Sequence, residues 1–374
     1  MKKMKRGIYV VKTDLEKQIG VREKAFSMVE IFSKYSEVLF IYSWGQYVYI
    51  DEFVNKQRLK SQRLRTNTLI DKIKSINSVM YSEFRKKVDY IYMRYTISDK
   101  SIYEVLKKAK DYKIKTFLEI PVMPYVKELL LQKKYFRFII DKLIFSKIIN
   151  YVDYIPTTSE FYLKNENLNN KLIRYCNGVN VNKYPIRKRP PFEDKINILM
   201  VTSITFWQGI DRILEGLYNF YKDNVKFKIY LNIVGVGPEM HRLKKMVKKY
   251  SLDRFVNFRG KLSGELLDKQ FDLNHIAAGS LGRHRTDNNN ISTLKASEYC
   301  ARGIPFFTSV NEMCFNNSLN FIYFVEANDG PIDFLEIINF YQSINSFNYE
   351  KEMREYAIEN LNWEKVLKEI ILRF

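Results

Sequence analysis

From residue 196 onward, short apolar runs alternate with amphipathic stretches, and this alternation limits the fold more than any other feature of the chain. INILMVTSI (196–204), FKIYLNIVGVGPE (227–239), FVNFRGKL (255–262), IPFFTSV (304–310) and FIYFVEA (321–327) each read as a buried parallel strand. A further strand is expected near His275–Leu281. Between them, GIDRILEGLYNFY (209–221) sets Ile210, Ile213, Leu214, Leu217, Tyr218 and Tyr221 at helical spacing. MHRLKKMVKKY (240–250) does the same with Met240, Leu243, Val247 and Tyr250, and another helix is expected near Glu265–Phe271. Strands that alternate with helices predict an α/β fold with a doubly wound parallel sheet.

The first half alternates less cleanly. GIYVVKT, EVLFIYS, VDYIYMRY, KTFLEIP and DYIPTTS are its candidate strands, with REKAFSMVEIFSKY and SIYEVLKKAKDY as helices between them. The segment 183–195, KYPIRKRPPFEDK, is rich in proline and charge and reads as a linker between two similar domains. The expected division is 1–185 and 186–359, and two such domains predict a central cleft with ligands at the carboxyl ends of the strands.

With 374 residues the chain suits two domains of ordinary size. Lys and Arg number 62 against 42 Asp and Glu, a net charge of +20 that favours anionic partners. No nucleic-acid module is visible, so nucleic acid is not expected as a partner. The three cysteines, Cys176, Cys300 and Cys314, include no C-x-x-C pair, which argues against a disulfide scaffold and a zinc site. The basic N-terminus carries an apolar run of about four residues, too short for a signal peptide, and no run of about 18 apolar residues occurs. The protein is expected in the cytoplasm.

The stretch NNNISTLKASEYCARGIP (288–305) carries the chemistry. Ser292 or Thr293 can cap a helix running from about Leu294 to Arg302 and stopping at Gly303. The helix tip, with its free amides and positive dipole end, suits a phosphate, and Lys295 and Arg285 add charge there. Glu298, a turn further in, can accept hydrogen bonds from two vicinal hydroxyls such as those of a ribose. An ordinary capped helix with a solvated glutamate fits the same residues, and most helix termini bind nothing.

LGRHR (281–285) followed by this stretch resembles the donor-site motif of family 4 glycosyltransferases of the GT-B fold. The resemblance is nearest to the branch of bacterial capsule, exopolysaccharide and O-antigen (lipopolysaccharide) clusters. TFWQGIDRILEGL, IVGVGPE, CNGVNV, YIYMRY, LEIPVMPYVKE and LNWEKVLKEI resemble further family segments in the family's order, so the resemblance spans nearly the whole chain. It implies a retaining, metal-independent transferase of two Rossmann-like domains. The C-terminal helix, 360–374, is then expected to cross back onto the first domain. It also implies a nucleotide-sugar donor, UDP- or GDP-linked, bound as substrate with no cofactor. The implied acceptor is an oligosaccharide or lipid-linked glycan.

On this resemblance Glu298 takes the ribose, while His284, Arg285, Ser292, Thr293, Lys295, Gly209, Arg212, Gly235 and Gly237 surround the donor. Gly20 matches a glycine-containing N-terminal loop lining the cleft, and Glu119 is expected to face the acceptor, although pairing with a nearby lysine fits it equally. Two positions depart from the family pattern. Eight residues before Glu298, where the family has a second glutamate over the sugar, stands Asn290. Where many members hold Arg and Lys against the diphosphate stand Ser203 and Gln208, leaving Arg212, Arg285 or Lys295 to take over. Asn290 also admits a second reading, a non-catalytic GT-B-like scaffold subunit. A phosphorylase-like or epimerising enzyme fits the loops less well. His241 and His275 lack metal-ligand neighbours at helical spacing. Two basic stretches, 127–151 and 56–74, suit docking on an anionic membrane surface, or simply helices packed on a sheet with solvated lysines.

Overall fold

The computed structural model describes residues 4–96, 100–162, 166–223, 226–316 and 318–374. The chain divides into two compact units, one of Met1–Cys176 with Trp363–Phe374 and one of Asn177–Asn362.

The first unit is built on β1 (Lys5–Asp14), β2 (Ser36–Trp44), β3 (Tyr47–Val54), β4 (Gln57–Arg65), β5 (Tyr90–Arg94) and β6 (Lys115–Glu119) in the order β4-β3-β2-β1-β5-β6. β2, β1, β5 and β6 run parallel, because α1 (Ile19–Phe32), α2 (Leu69–Phe84) and α3 (Lys100–Asp111) carry the chain between them. β3 and β4 form an antiparallel hairpin at the edge. β4, sequence QRLKSQRLR, is exposed at every position, so the charged part of the 56–74 stretch is a solvated edge strand. Charge on such an edge deters pairing with other chains. After β6 come α4 (Val126–Leu131) and α5 (Tyr135–Ile148), then β7 (Ile155–Thr157), α6 (Glu166–Asn169) and β8 (Leu172–Arg174), with β7 and β8 paired in parallel.

In the second unit β9 (Lys195–Val201), β10 (Lys228–Val234), β11 (Val256–Gly260), β12 (Ile276–Ala278), β14 (Phe306–Thr308) and β16 (Ile322–Phe324) form one sheet in the order β11-β10-β9-β12-β14-β16. Every pairing in it is parallel. The short β13 (Asn290–Ile291) and β15 (Asn311–Glu312) pair beside it. α7 (Ile210–Asp223), α8 (Met240–Lys249), α9 (Glu265–Leu273), α10 (Leu294–Arg302), α11 (Phe334–Ile344) and α12 (Tyr349–Asn360) complete the unit. The strands are near-continuous apolar runs because helices cover both faces of such a sheet.

α13 (Trp363–Val366) and α14 (Lys368–Ile371) belong to the first unit. Phe374 stacks on Tyr90 with ring centroids 3.9 Å apart, and Lys115 Nζ donates to Arg373 O at 2.6 Å. The expected linker is no loose tether. Arg187 is buried and donates to Gly303 O (3.0 Å), Asn274 O (2.9 Å) and Tyr349 Oη (2.7 Å), which fixes residues 183–195 to the second unit.

Candidate functional site

In the second unit the loops leaving β9, β10 and β12 interlock at the carboxyl edge of the sheet. Ile204 N–H donates to Val236 O at 3.0 Å, Leu281 N–H to Gln208 O at 3.0 Å, and Ser280 Oγ to Gln208 Oε1 at 3.1 Å. Two glycines permit this packing. Gly235 has φ +138°, and a Cβ there would stand 1.8 Å from Thr202 O. Gly209 has φ +70°, and a Cβ would stand 2.6 Å from the carbonyl carbon of Leu281. Gly237, in the same loop as Gly235, abuts Ile204 O. Backbone approaching backbone accounts for all three, without any ligand.

α10 begins at this edge. It runs Leu294–Arg302 with Thr293 as N-cap and Gly303 in the left-handed conformation at its end, as the sequence predicts. Thr293 Oγ1 accepts from Ala296 N–H at 3.3 Å. Beneath the cap lies Glu312, a residue the sequence reading missed. Its carboxylate accepts from Thr293 N–H (2.9 Å) and Thr293 Oγ1 (2.5 Å). Burial pushes Glu312 up to about 7, against the pull of those bonds and of Lys295. Nothing in one sequence marks it, since β15 is two residues long and its pairing with β13 is set by tertiary packing. Ser292, the other capping candidate, instead accepts from Asn177 N–H at 2.8 Å, and Ser297 Oγ donates to Asn177 O. This ties the CNGVNV segment to α10.

Lys295 lies in the first turn of α10 and reaches back under the loops. Its ammonium donates to Gln208 Oε1 (2.7 Å) and Thr202 Oγ1 (3.1 Å), both neutral acceptors. Packing around the ammonium and the nearby Arg283 lower its pKa to about 7, with Glu312 opposing. The residue as a whole is half-buried. A cation thus stands beside Gln208, the position at which the family pattern would carry a lysine.

The other expected donor cations make hydrogen bonds and ion pairs within the protein. Arg285 Nε donates to Asp329 Oδ1 (2.6 Å), and its Nη1 donates to Asp211 Oδ1 (3.0 Å) and Phe206 O (2.8 Å). His284 Nε2 lies 3.0 Å from the same Asp329 oxygen. Arg212 is buried and donates to Leu281 O (2.6 Å), Gly330 O (2.7 Å) and Glu326 O (3.0 Å). These groups brace the loops through charge-assisted bonds.

Glu298 stands in the second turn of α10, with Oε1 accepting from Arg302 Nε at 2.8 Å. Arg302 is held in turn by Asp268 at 2.7 Å and lies over the Phe271 ring. The carboxylate is therefore oriented by its own helix. Asn290 pairs with Asn311 across β13 and β15, and its Oδ1 accepts from Asn311 Nδ2 at 3.2 Å. His275 is buried, with Nδ1 accepting from Asn197 N–H at 2.9 Å, a structural role.

Two expected site residues lie in the first unit. Gly20 is not in a loop: it sits exposed in the first turn of α1. Glu119, at the end of β6, is fully buried, and its Oε1 accepts from Arg94 (2.6 Å), Tyr175 Oη (2.8 Å) and Lys24 (3.0 Å). Burial pushes this carboxyl up, but Arg94 and Lys24 more than offset it and hold it below its ordinary range. It pairs with a lysine, one of the two roles the sequence left open.

No known protein-family profile matches the chain. Over 131 residues it is 29% identical to an uncharacterized glycosyltransferase, MJ1069, of Methanocaldococcus jannaschii. The match covers 34% of this chain and 33% of that protein, about a third of each. Solved structures align over the whole chain. HepE of Anabaena in complex with UDP superposes with TM-score 0.66 at 10% identity, covering 99% of both chains. A glycosyltransferase of Rickettsia africae gives 0.61 at 14% identity, covering 99% of this chain and 97% of that one. The lipopolysaccharide outer core galactosyltransferase WaaB gives 0.61 at 13%, covering 98% of both. The fold is GT-B. In this GT-B chain the edge of the second sheet presents one helix tip, one lysine with neutral partners and one oriented glutamate. Such a set can hold an anion next to a pair of hydroxyls.

Proposed function

We propose that this chain is a glycosyltransferase that moves a sugar from a nucleotide-sugar donor to a glycan acceptor, in the manner of the retaining family 4 enzymes of bacterial surface polysaccharide assembly. The observation that carries the reading is Lys295. Among the described residues its ammonium donates to the neutral Gln208 and Thr202 at the tip of α10, with Glu312 the nearby acid, and a diphosphate can claim its charge. Glu298, a turn deeper and steered by Arg302, takes the ribose hydroxyls. UDP, the nucleotide in the HepE complex, is the first donor base to test.

In the reaction the bond from the sugar C1 to the phosphate oxygen breaks, and C1 bonds to an acceptor oxygen on the same face. The acceptor proton leaves with the departing diphosphate. Lys295 and the α10 amides stabilise the charge growing on that leaving group, with no reorganisation at the moment of reaction. The chemistry asks for no metal and no protein nucleophile. The acceptor in this reading is a lipid-linked surface glycan, reached at the inner face of the plasma membrane.

A second reading, a donor-binding subunit without turnover, has one observation in its favour. Asn290 stands where the family pattern has a carboxylate, and its side chain is engaged by Asn311. The test is a thermal-shift screen against UDP-, GDP-, TDP- and ADP-sugars, followed by turnover with the donor that binds. The proposal expects a raised melting temperature with one nucleotide class and release of its diphosphate. A shift without turnover favours the second reading, and no shift with any donor contradicts both.

A further inference from the structure

We propose that α4 and α5 form a membrane-docking face that lays an apolar row into an anionic lipid surface. α5 turns Phe136, Ile139 and Leu143 outward, exposed by 75%, 54% and 66%. Their spacing of three and then four residues puts them on one side of the helix. Leu131, at the end of α4, and Tyr135, at the start of α5, are exposed beside them. Nothing in a water-soluble fold requires such a row to face solvent.

The opposite side of α5 explains its register. Asp141 and Ile148 are buried, and Asp141 accepts from the hydroxyls of Tyr95 and Tyr125. The one acid of α5 is thereby turned inward. Lys133, Lys134, Arg137, Lys142 and Lys147 are all exposed along the same segment. The face is apolar at its centre and cationic at its margins.

Charge selects the occupant. A second copy of this chain, itself at +20, would bring like charge against like across the face. Nucleic acid could stack on Phe136 but would leave the aliphatic Ile139 and Leu143 uncovered. An anionic bilayer matches both parts, with headgroups on the cations and acyl chains under the apolar row. Of the two basic stretches, 127–151 therefore carries the docking, whereas the charged part of 56–74 is an edge strand exposed at every position.

The inference deepens the reading above by placing its partner, but vesicle binding is read without donor or acceptor, so its failure leaves the donor site untouched. The experiment is sedimentation of the purified full chain with vesicles of equimolar phosphatidylglycerol and phosphatidylcholine, and with pure phosphatidylcholine vesicles. Binding is expected to the anionic vesicles only and to weaken with salt. Replacing Phe136, Ile139 and Leu143 together by Ser should weaken it by roughly tenfold or more. Replacing Lys133, Lys134 and Arg137 together by Gln should do the same and, if the first variant unfolds, decides the question alone. A chain that stays in the supernatant, variants that bind as well as the parent, or a parent dimer that the apolar variant dissociates would each overturn the proposal.

Discussion

Each unit of the molecule holds one lysine pressed into protein at the carboxyl edge of its sheet, and the two are used differently. Lys24, on α1, is buried against Glu119 at 3.0 Å, with Arg94 on the same carboxylate. Burial lowers it to about 8, and Glu119 resists the shift. Lys295 is lowered further, to about 7, and its direct partners are an amide oxygen and a hydroxyl. The first charge is cancelled within the protein and holds the fold together. The second is held in the first turn of a helix by neutral acceptors, and on the proposed function it is the charge a ligand would claim.

The largest expected effect falls on the cancelled charge. Glu119→Ala removes the buried carboxylate that Lys24 and Arg94 share, which costs about 3–5 kcal/mol. Chemical denaturation should show that loss, while affinity of the surviving folded protein for the nucleotide sugar stays as it was. Weakened donor binding with unchanged stability would reverse the contrast between the two lysines.

A smaller effect is expected at Glu298. Glu298→Ala removes the carboxylate that receives the ribose and should weaken donor binding about tenfold, or about 1.4 kcal/mol. It also releases Arg302, which Asp268 still holds, so the melting temperature should move little. Donor affinity equal to the parent's would remove Glu298 from the site.

Much of the second unit was legible in the sequence, because parallel buried strands advertise themselves as apolar runs. α10 was legible to the residue, since its cap and its terminal glycine are local signals. The β3–β4 hairpin was not, because β4 is charged along its length and has no buried face to generate an alternating pattern. The fate of the arginines was equally hidden. Arg285 meets Asp211 and Asp329, and Arg212 meets carbonyls from Leu281 to Gly330, partners far along the chain that only the folded loops bring in. Spacing says that a cation is near a helix tip; it does not say whether a carboxylate has already claimed it. Glu119 shows the same limit from the other side: at a strand end a ligand and a nearby lysine fitted it equally, and the fold supplies the lysine.

The most direct test is a calorimetric titration of the selected nucleotide sugar into the parent and into Lys295→Gln, on either side of about pH 7. The diphosphate favours the charged lysine, whose pKa in the empty site is depressed to about 7. Binding above that pH must therefore take up a proton. Parent affinity should fall as the pH rises, by up to about tenfold per unit. Lys295→Gln should bind about 10- to 100-fold more weakly at the lower pH, the loss of one charge-assisted bond of about 1.5–3 kcal/mol, and should show little pH dependence. A variant that binds as tightly as the parent, with the same pH profile, would contradict the account.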